Sequence, residues 1–140
     1  MKPVVDYSLY LVTDSRPAIL QGRDFSDVVK QAIHGGARIV QLREKSLSTA
    51  DFIKRAKALR YIAHQNGIPL LINDRVDVAL AVQCDGVHIG QDDMDVGTAR
   101  RLLGPDAIIG VTVSSEEEAL RACQDGADYL GIGTVFATST

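Results

Sequence analysis

The sequence predicts an α/β fold in which parallel strands alternate with helices. Three observations lead there. Short apolar runs without polar alternation recur along the chain, as in strands covered on both faces. Stretches with apolar residues at helical spacing separate them, and such crossovers are what parallel strands require. Three of the runs end in a burst of charged or amide residues: Arg38-Ile-Val-Gln-Leu-Arg-Glu-Lys45, Pro69-Leu-Leu-Ile-Asn-Asp-Arg75 and Gly86-Val-His-Ile-Gly-Gln-Asp-Asp93. Polar groups at the carboxyl ends of successive strands converge on one rim, where α/β proteins bind ligands and do chemistry.

Residues 8–14 read as a first, buried strand stopped by Asp14, and residues 15–22, with Pro17, as a loop. Asp24 is placed to cap a helix over 25–34, in which Phe25, Val28, Val29, Ala32 and Ile33 recur at helical spacing before Gly35-Gly36 ends it. Residues 38–43 form the second strand. Ser48 or Thr49 caps a long amphipathic helix reaching about Asn66, closed by Asn66-Gly67. Residues 69–73 are the third strand, 75–83 a short helix and 86–89 the fourth strand. A helix over 96–103 is ended by Gly104-Pro105, and residues 107–113 are the fifth strand. Ser114 or Ser115 caps a helix over 116–124, whose three leading glutamates suit its positive end. Residues 128–133 are the sixth strand.

Two architectures fit this alternation, a doubly wound open sheet and a (β/α)8 barrel. A barrel takes about 250 residues and this chain has 140. No Gly-x-Gly-x-x-Gly follows the first strand, which argues against a nucleotide-binding Rossmann domain. A hydrophobic fraction of 46% is ample for one core. The formal charge of -3, from 15 basic and 18 acidic residues, and an aromatic content of 5% without Trp speak against nucleic acid as a partner. No apolar run is long enough to cross a membrane, and the N-terminus lacks a signal-peptide pattern, so a cytoplasmic protein is expected. Cys84 and Cys123 are widely spaced and read as free thiols.

The bursts carry the chemistry. Along an extended strand Gln41, Arg43 and Lys45 share a face, and two cations beside an amide form an anion clamp. The plainer alternative is solvated surface charge. Asp74 follows the third strand and Asp92 and Asp93 the fourth. One carboxylate from each of two neighbouring strands is how Mg2+ is usually held, with waters and phosphate oxygens completing the shell. Capping of the next helix by Asp74 or Asp92 competes with that reading. His88, flanked by apolar residues, reads as a core histidine with a satisfied ring nitrogen. Thr112, Ser114 and Ser115 donate to a phosphate or cap the next helix. Thr138, Ser139 and Thr140 supply hydroxyls of the kind that cradle phosphate.

Five segments, Val40-Gln-Leu-Arg-Glu-Lys45, Leu71-Ile-Asn-Asp-Arg75, Asp85-Gly-Val-His-Ile-Gly-Gln-Asp-Asp93, Ile109-Gly-Val-Thr112 and Ala127-Asp-Tyr-Leu-Gly-Ile-Gly-Thr-Val-Phe136, resemble the thiamine phosphate synthase family in order and spacing. The resemblance covers essentially the whole chain. It implies a TIM (β/α)8 barrel with about six of eight β-α units present, residues 1–140 being one domain. It implies a transferase that condenses hydroxymethylpyrimidine diphosphate with a thiazole phosphate to thiamine phosphate and diphosphate, with small molecules as partners and self-association left open. Carried over by position, Gln41 reaches the pyrimidine, and Arg43 and Lys45 act catalytically on the diphosphate, which Asn73 also contacts. Asp74 and Asp93 bind Mg2+, with Asp92 standing where the family often has Glu. Thr112 replaces a frequent Ser, and Thr138, Ser139 and Thr140 bind the thiazole phosphate. The family's lysine after its Thr-x-Thr element and its last two β-α units have no counterpart here, so a C-terminally truncated domain is expected. The alternatives are an inactive or partner-dependent fragment and a thiazole tautomerase-like paralogue. A tautomerase needs no diphosphate-metal site, so the retained charged set favours the synthase.

Overall fold

The computed structural model describes residue 2 and residues 4–138. Six strands alternate with helices: β1 (Tyr10–Val12), α1 (Pro17–Leu20), α2 (Phe25–His34), β2 (Ile39–Leu42), α3 (Thr49–Gln65), β3 (Leu70–Asn73), α4 (Val76–Val82), β4 (Gly86–Ile89), α5 (Val96–Leu103), β5 (Ile108–Val113), α6 (Glu116–Gln124) and β6 (Tyr129–Ile132). Each strand pairs in parallel with the next one in sequence, in the order β1-β2-β3-β4-β5-β6. A doubly wound sheet reverses its order at a switch point. This sheet has no reversal, and its form is a half-barrel.

The two faces of the sheet are built differently. On one, Val40, Leu42, Leu70, Ile72, Val87, Ile89, Ile109, Val111 and Val113 meet the helices around Val29, Phe52, Leu59, Val78 and Ala99. The alternate residues face the other way, where Ile39, Leu71 and Ile108 form a small second cluster with Val5, Tyr10 and Tyr129. Two strand glycines permit close approach on this second face. A Cβ at Gly86 would lie 1.8 Å from the Ile108 carbonyl oxygen, and one at Gly110 would lie 2.0 Å from Cζ of Tyr129. The Tyr129 ring therefore sits over Gly110 of β5.

Side-chain caps start α2 (Asp24), α3 (Ser48), α5 (Asp95) and α6 (Ser115), each accepting the amide three residues on. Two expectations need correction. Residues 15–22 contain the one-turn helix α1, with Pro17 at its first position and Arg23 donating to the Ile19 and Leu20 carbonyls. The first strand, expected to be buried over 8–14, is three residues long with its outer side chains half exposed. It is an edge strand, paired on one side only, and β6 is the other edge, where Ile132 is 78% and Phe136 86% exposed. Burial is complete along β2 and β3, while His88 of β4 is half-buried and Thr112 of β5 exposed.

Candidate active site

The parallel register sets Gln41 beside Leu71 and Asn73 beside His88. Gln41 and Asn73 are buried, at 3% and 8% exposure, while Arg43 emerges where β2 ends. Among the described residues the Arg43 guanidinium forms no ion pair. The nearby acids are engaged elsewhere: Asp14 holds Arg16 in a fork, and Glu44 pairs with Arg55 at 2.5 Å and accepts from Ser15 at 2.9 Å. Arg43 stands between two hollows. One is a cleft of about 600 Å³ lined by Tyr10, Gln41, Asn73, His88, Thr112 and Tyr129. The other, about 340 Å³, lies under the loops after β1 and β2.

The Lys45 ammonium meets the Asp74 carboxylate. Asp74 itself adopts a left-handed backbone with φ 63°, a conformation in which Asp is enriched, and its amide donates to the His88 carbonyl at 2.8 Å. Asp93 accepts the Gly90 amide at 2.7 Å. Burial pushes its carboxyl above the ordinary carboxylate range; the Gly90 amide opposes this, while the hydrogen bond to Asp74 and its charge push the same way and Lys45 works against them. Neither Asp74 nor Asp92 caps a helix: Arg75 stands at the N-cap of α4 and makes no side-chain cap, and Asp95 caps α5. Two carboxylates from the ends of neighbouring strands thus face one another beside an ammonium. Such a pair offers hard oxygen donors and is relieved by a divalent cation, so the residues fit Mg2+, which takes one or two carboxylates and completes its shell with water and phosphate oxygens. Among the described residues no group of three or more His, Cys, Asp or Glu could enclose a metal.

The cleft floor is polar and continuously hydrogen-bonded. Asn73 bonds Gln41 (2.9 Å), Gln41 bonds Tyr10 (2.8 Å), Tyr10 meets Tyr129 (2.5 Å), and Tyr129 meets His88 Nδ1 (2.8 Å). His88 Nε2 meets the Thr112 hydroxyl at 2.8 Å. Both nitrogens of His88 are thus partnered, where one satisfied nitrogen was expected, and the ring also lines the cleft; burial lowers its pKa, against a weaker pull from Asp74. Burial pushes Tyr10 and Tyr129 the other way, well up for Tyr129, so both stay phenols. Thr112 bonds His88 and leaves capping of α6 to Ser115, while Ser114 donates to Glu118. Thr138 is exposed beyond β6. Ser139 and Thr140 lie outside the described residues. Tyr10 and Tyr129 were not read as site residues from the sequence. The available signal was Gly110 inside an apolar strand, which marks a place where another group comes close.

The family profile described as thiamine monophosphate synthase matches residues 9–140. A probable thiamine biosynthetic bifunctional enzyme of Schizosaccharomyces pombe is 54% identical over 140 residues, covering 100% of this chain and 27% of that protein. A thiamine-phosphate synthase of Clostridium acetobutylicum is 54% identical over 136 residues, covering 97% of this chain and 64% of that one. The solved structure of a thiamine phosphate pyrophosphorylase from Pyrococcus furiosus superposes with a TM-score of 0.81 at 41% identity, over 93% of this chain and 61% of that chain. The chain therefore spans less than two thirds of the length of these relatives.

Proposed function

The chain belongs to the thiamine monophosphate synthase family, and from that premise we propose that it carries the transferase step of thiamine biosynthesis. In that reaction the C–O bond between the pyrimidine methylene and the diphosphate breaks, its electron pair leaving with the diphosphate. The lone pair of the thiazole nitrogen then forms the new C–N bond, and no proton need move. The main demand is to stabilise a leaving group that gathers negative charge.

The observation that carries this reading is the rim on which the Arg43 guanidinium, without an ion pair among the described residues, the Lys45 ammonium and the Asp74 and Asp93 carboxylates meet at successive strand ends. Arg43 offers a planar fork to the diphosphate and Lys45 a mobile charge. Asp74 and Asp93 would hold Mg2+, which when bound neutralises phosphate charge as a Lewis acid. Gln41 already spends its oxygen on Asn73 and one N–H on Tyr10, so its second N–H is the group left for the pyrimidine. Asn73 likewise has one N–H to give the diphosphate. Thr112 and, beyond β6, Thr138, Ser139 and Thr140 are read as hydroxyl donors, the last three to the thiazole phosphate.

The six units are read as part of a (β/α)8 barrel in which residues 1–140 form one domain, a reading that the unreversed strand order supports. Among the described residues no helix is long and apolar enough to cross a membrane. The cytoplasm is the proposed compartment, in keeping with the free thiols Cys84 and Cys123.

The test is to mix the 140-residue chain with both substrates and Mg2+ and to measure thiamine phosphate. Product is expected, with loss on chelation and recovery on adding Mg2+. Arg43→Ala should lower kcat/KM by about 10²–10³ without moving the thermal midpoint. No product from the folded chain under these conditions would overturn the reading for this chain.

A further inference from the structure

The hydrogen-bonded chain on the cleft floor has a direction. Asn73 Nδ2 donates to Gln41 Oε1, and Gln41 Nε2 donates to the Tyr10 hydroxyl oxygen. A phenol has one hydrogen. With the Tyr10 oxygen accepting from Gln41, the Tyr129 oxygen, 2.5 Å away, is the acceptor left for the Tyr10 hydrogen. The hydrogen of Tyr129 then goes to His88 Nδ1 at 2.8 Å. An imidazole nitrogen that accepts carries no proton, so the ring hydrogen sits on Nε2 and is donated to Thr112 Oγ1. The hydrogen of Thr112 is left over at that end. At the other end Asn73 Oδ1, buried, has no partner among the described residues.

Tyr129 is the junction of this relay. It is the member from β6, and it joins the part on β1, β2 and β3 to the part on β4 and β5. Its ring lies against both neighbours, with centroids 5.8 Å from Tyr10 and 5.5 Å from His88, and its seat over Gly110 leaves no room for a Cβ beneath it. We infer that Tyr129 is a positioning residue: by giving its one hydrogen to His88 it locks the relay in one direction, so that the cleft offers an acceptor at Asn73 and a donor at Thr112. The cleft then selects a ligand with an N–H donor toward β3 and a lone pair toward β5, and disfavours the reverse arrangement. The consequence for catalysis rests on the function proposed above; the direction of the relay does not.

The reversed relay would place the ring hydrogen of His88 on Nδ1, so one observable separates the two states. Two-bond 1H–15N spectra of the 15N-labelled full chain at pH 8 read it, because an imidazole of ordinary pKa near 6.5 is neutral there. The chain has 3 histidines, and His88→Gln identifies the signal. The wild type is expected to show the Nε2-protonated form in about fivefold excess or more, the ratio one net hydrogen bond of about 1 kcal/mol sustains. Tyr129→Phe should reduce that excess several-fold while the thermal midpoint stays near wild type; should it fail to fold, Tyr10→Phe, which leaves the Tyr129 oxygen free to accept from an Nδ1-protonated His88, is expected to reduce it too. An Nδ1-protonated wild type, or an excess untouched by the folded variant, would overturn the proposal. In the assay, Tyr129→Phe should raise KM for the pyrimidine diphosphate about tenfold and change kcat less. An inactive wild type with the Nε2 form removes the function and keeps the relay; an active one with the Nδ1 form does the opposite.

Discussion

Asp128 stands just before β6 and clamps it to β5. Its carboxylate accepts the Ile109 amide at 2.7 Å and Arg100 at 2.8 Å, and its own amide donates to the Ile109 carbonyl at 2.7 Å. Asp85 repeats the device before β4, accepting the Leu70 amide at 2.8 Å and donating to the Leu70 carbonyl at 3.1 Å, with His64 as its second partner. Burial alone would raise the pKa of Asp128; Lys2, the Ile109 amide and Arg100 outweigh it, and the carboxyl sits below its ordinary value. A carboxyl depressed in the folded state stabilises above the unfolded pKa and loses that contribution as pH falls through the folded one. Asp128→Ala is therefore expected to cost about 2 kcal/mol at pH 7, and urea unfolding should show the difference from wild type shrinking toward pH 3. The opposite case is Cys84, whose thiol burial pushes up to about 12; it should resist alkylation at pH 8 until the protein unfolds. The rim residues were legible because polar side chains end apolar runs. The clamps and the Tyr10–Tyr129 bond were not, since the two tyrosines are 119 positions apart and nothing local links them.

Helices were easier to read than strands. The spacing and caps of α2 and α6 mark their limits in the sequence, Gly104-Pro105 marks the end of α5, whose cap is Asp95 and not Asp92, and Ser48 is the residue that caps α3. Ser48→Ala should cost about 1 kcal/mol, read as a lowered urea midpoint with an unchanged slope, because the cap serves α3 alone. The single turn of α1 carries too few residues for a period to show, and Pro17 reads equally as loop or helix start. For β1, apolar composition predicted burial, but burial depends on having a neighbour on each side, and an edge strand has one. Gly110 belongs to this scale too. Gly110→Ala brings a Cβ within 2.0 Å of the Tyr129 ring, so a loss of about 1–3 kcal/mol is expected, with a changed tyrosine signal in near-ultraviolet circular dichroism.

At the scale of the molecule, local patterns gave the β-α units but left the sheet order open, because a doubly wound sheet and a barrel are made of the same units. The order is a property of pairings between strands, and here each strand takes the next one as partner. The helices then share one continuous core with the sheet, in which Phe52 of α3 is among the largest fully buried side chains. Phe52→Ala should cost about 3–5 kcal/mol, a large part of the roughly 5–15 kcal/mol a domain has. Since the core is shared, circular dichroism and tyrosine fluorescence should report one coincident transition at the lower midpoint.

The glycines of the inner face set unequal rules for change on the two sides of one sheet. Gly86 lies beside Ile108, Gly110 beside His88, and Gly131 beside Thr112, each two residues further along the strands than the last. This diagonal of absent side chains follows the stagger of the sheet and leaves the hollow in which the histidine and tyrosine rings rest. On the helix side, valine, isoleucine and leucine can trade places at modest cost, because volume there can be redistributed among many neighbours. On the inner side, any residue larger than hydrogen at Gly86 or Gly110 collides with what lies there. Sequence drift should therefore run freely over the outer half of each strand and stall along that diagonal.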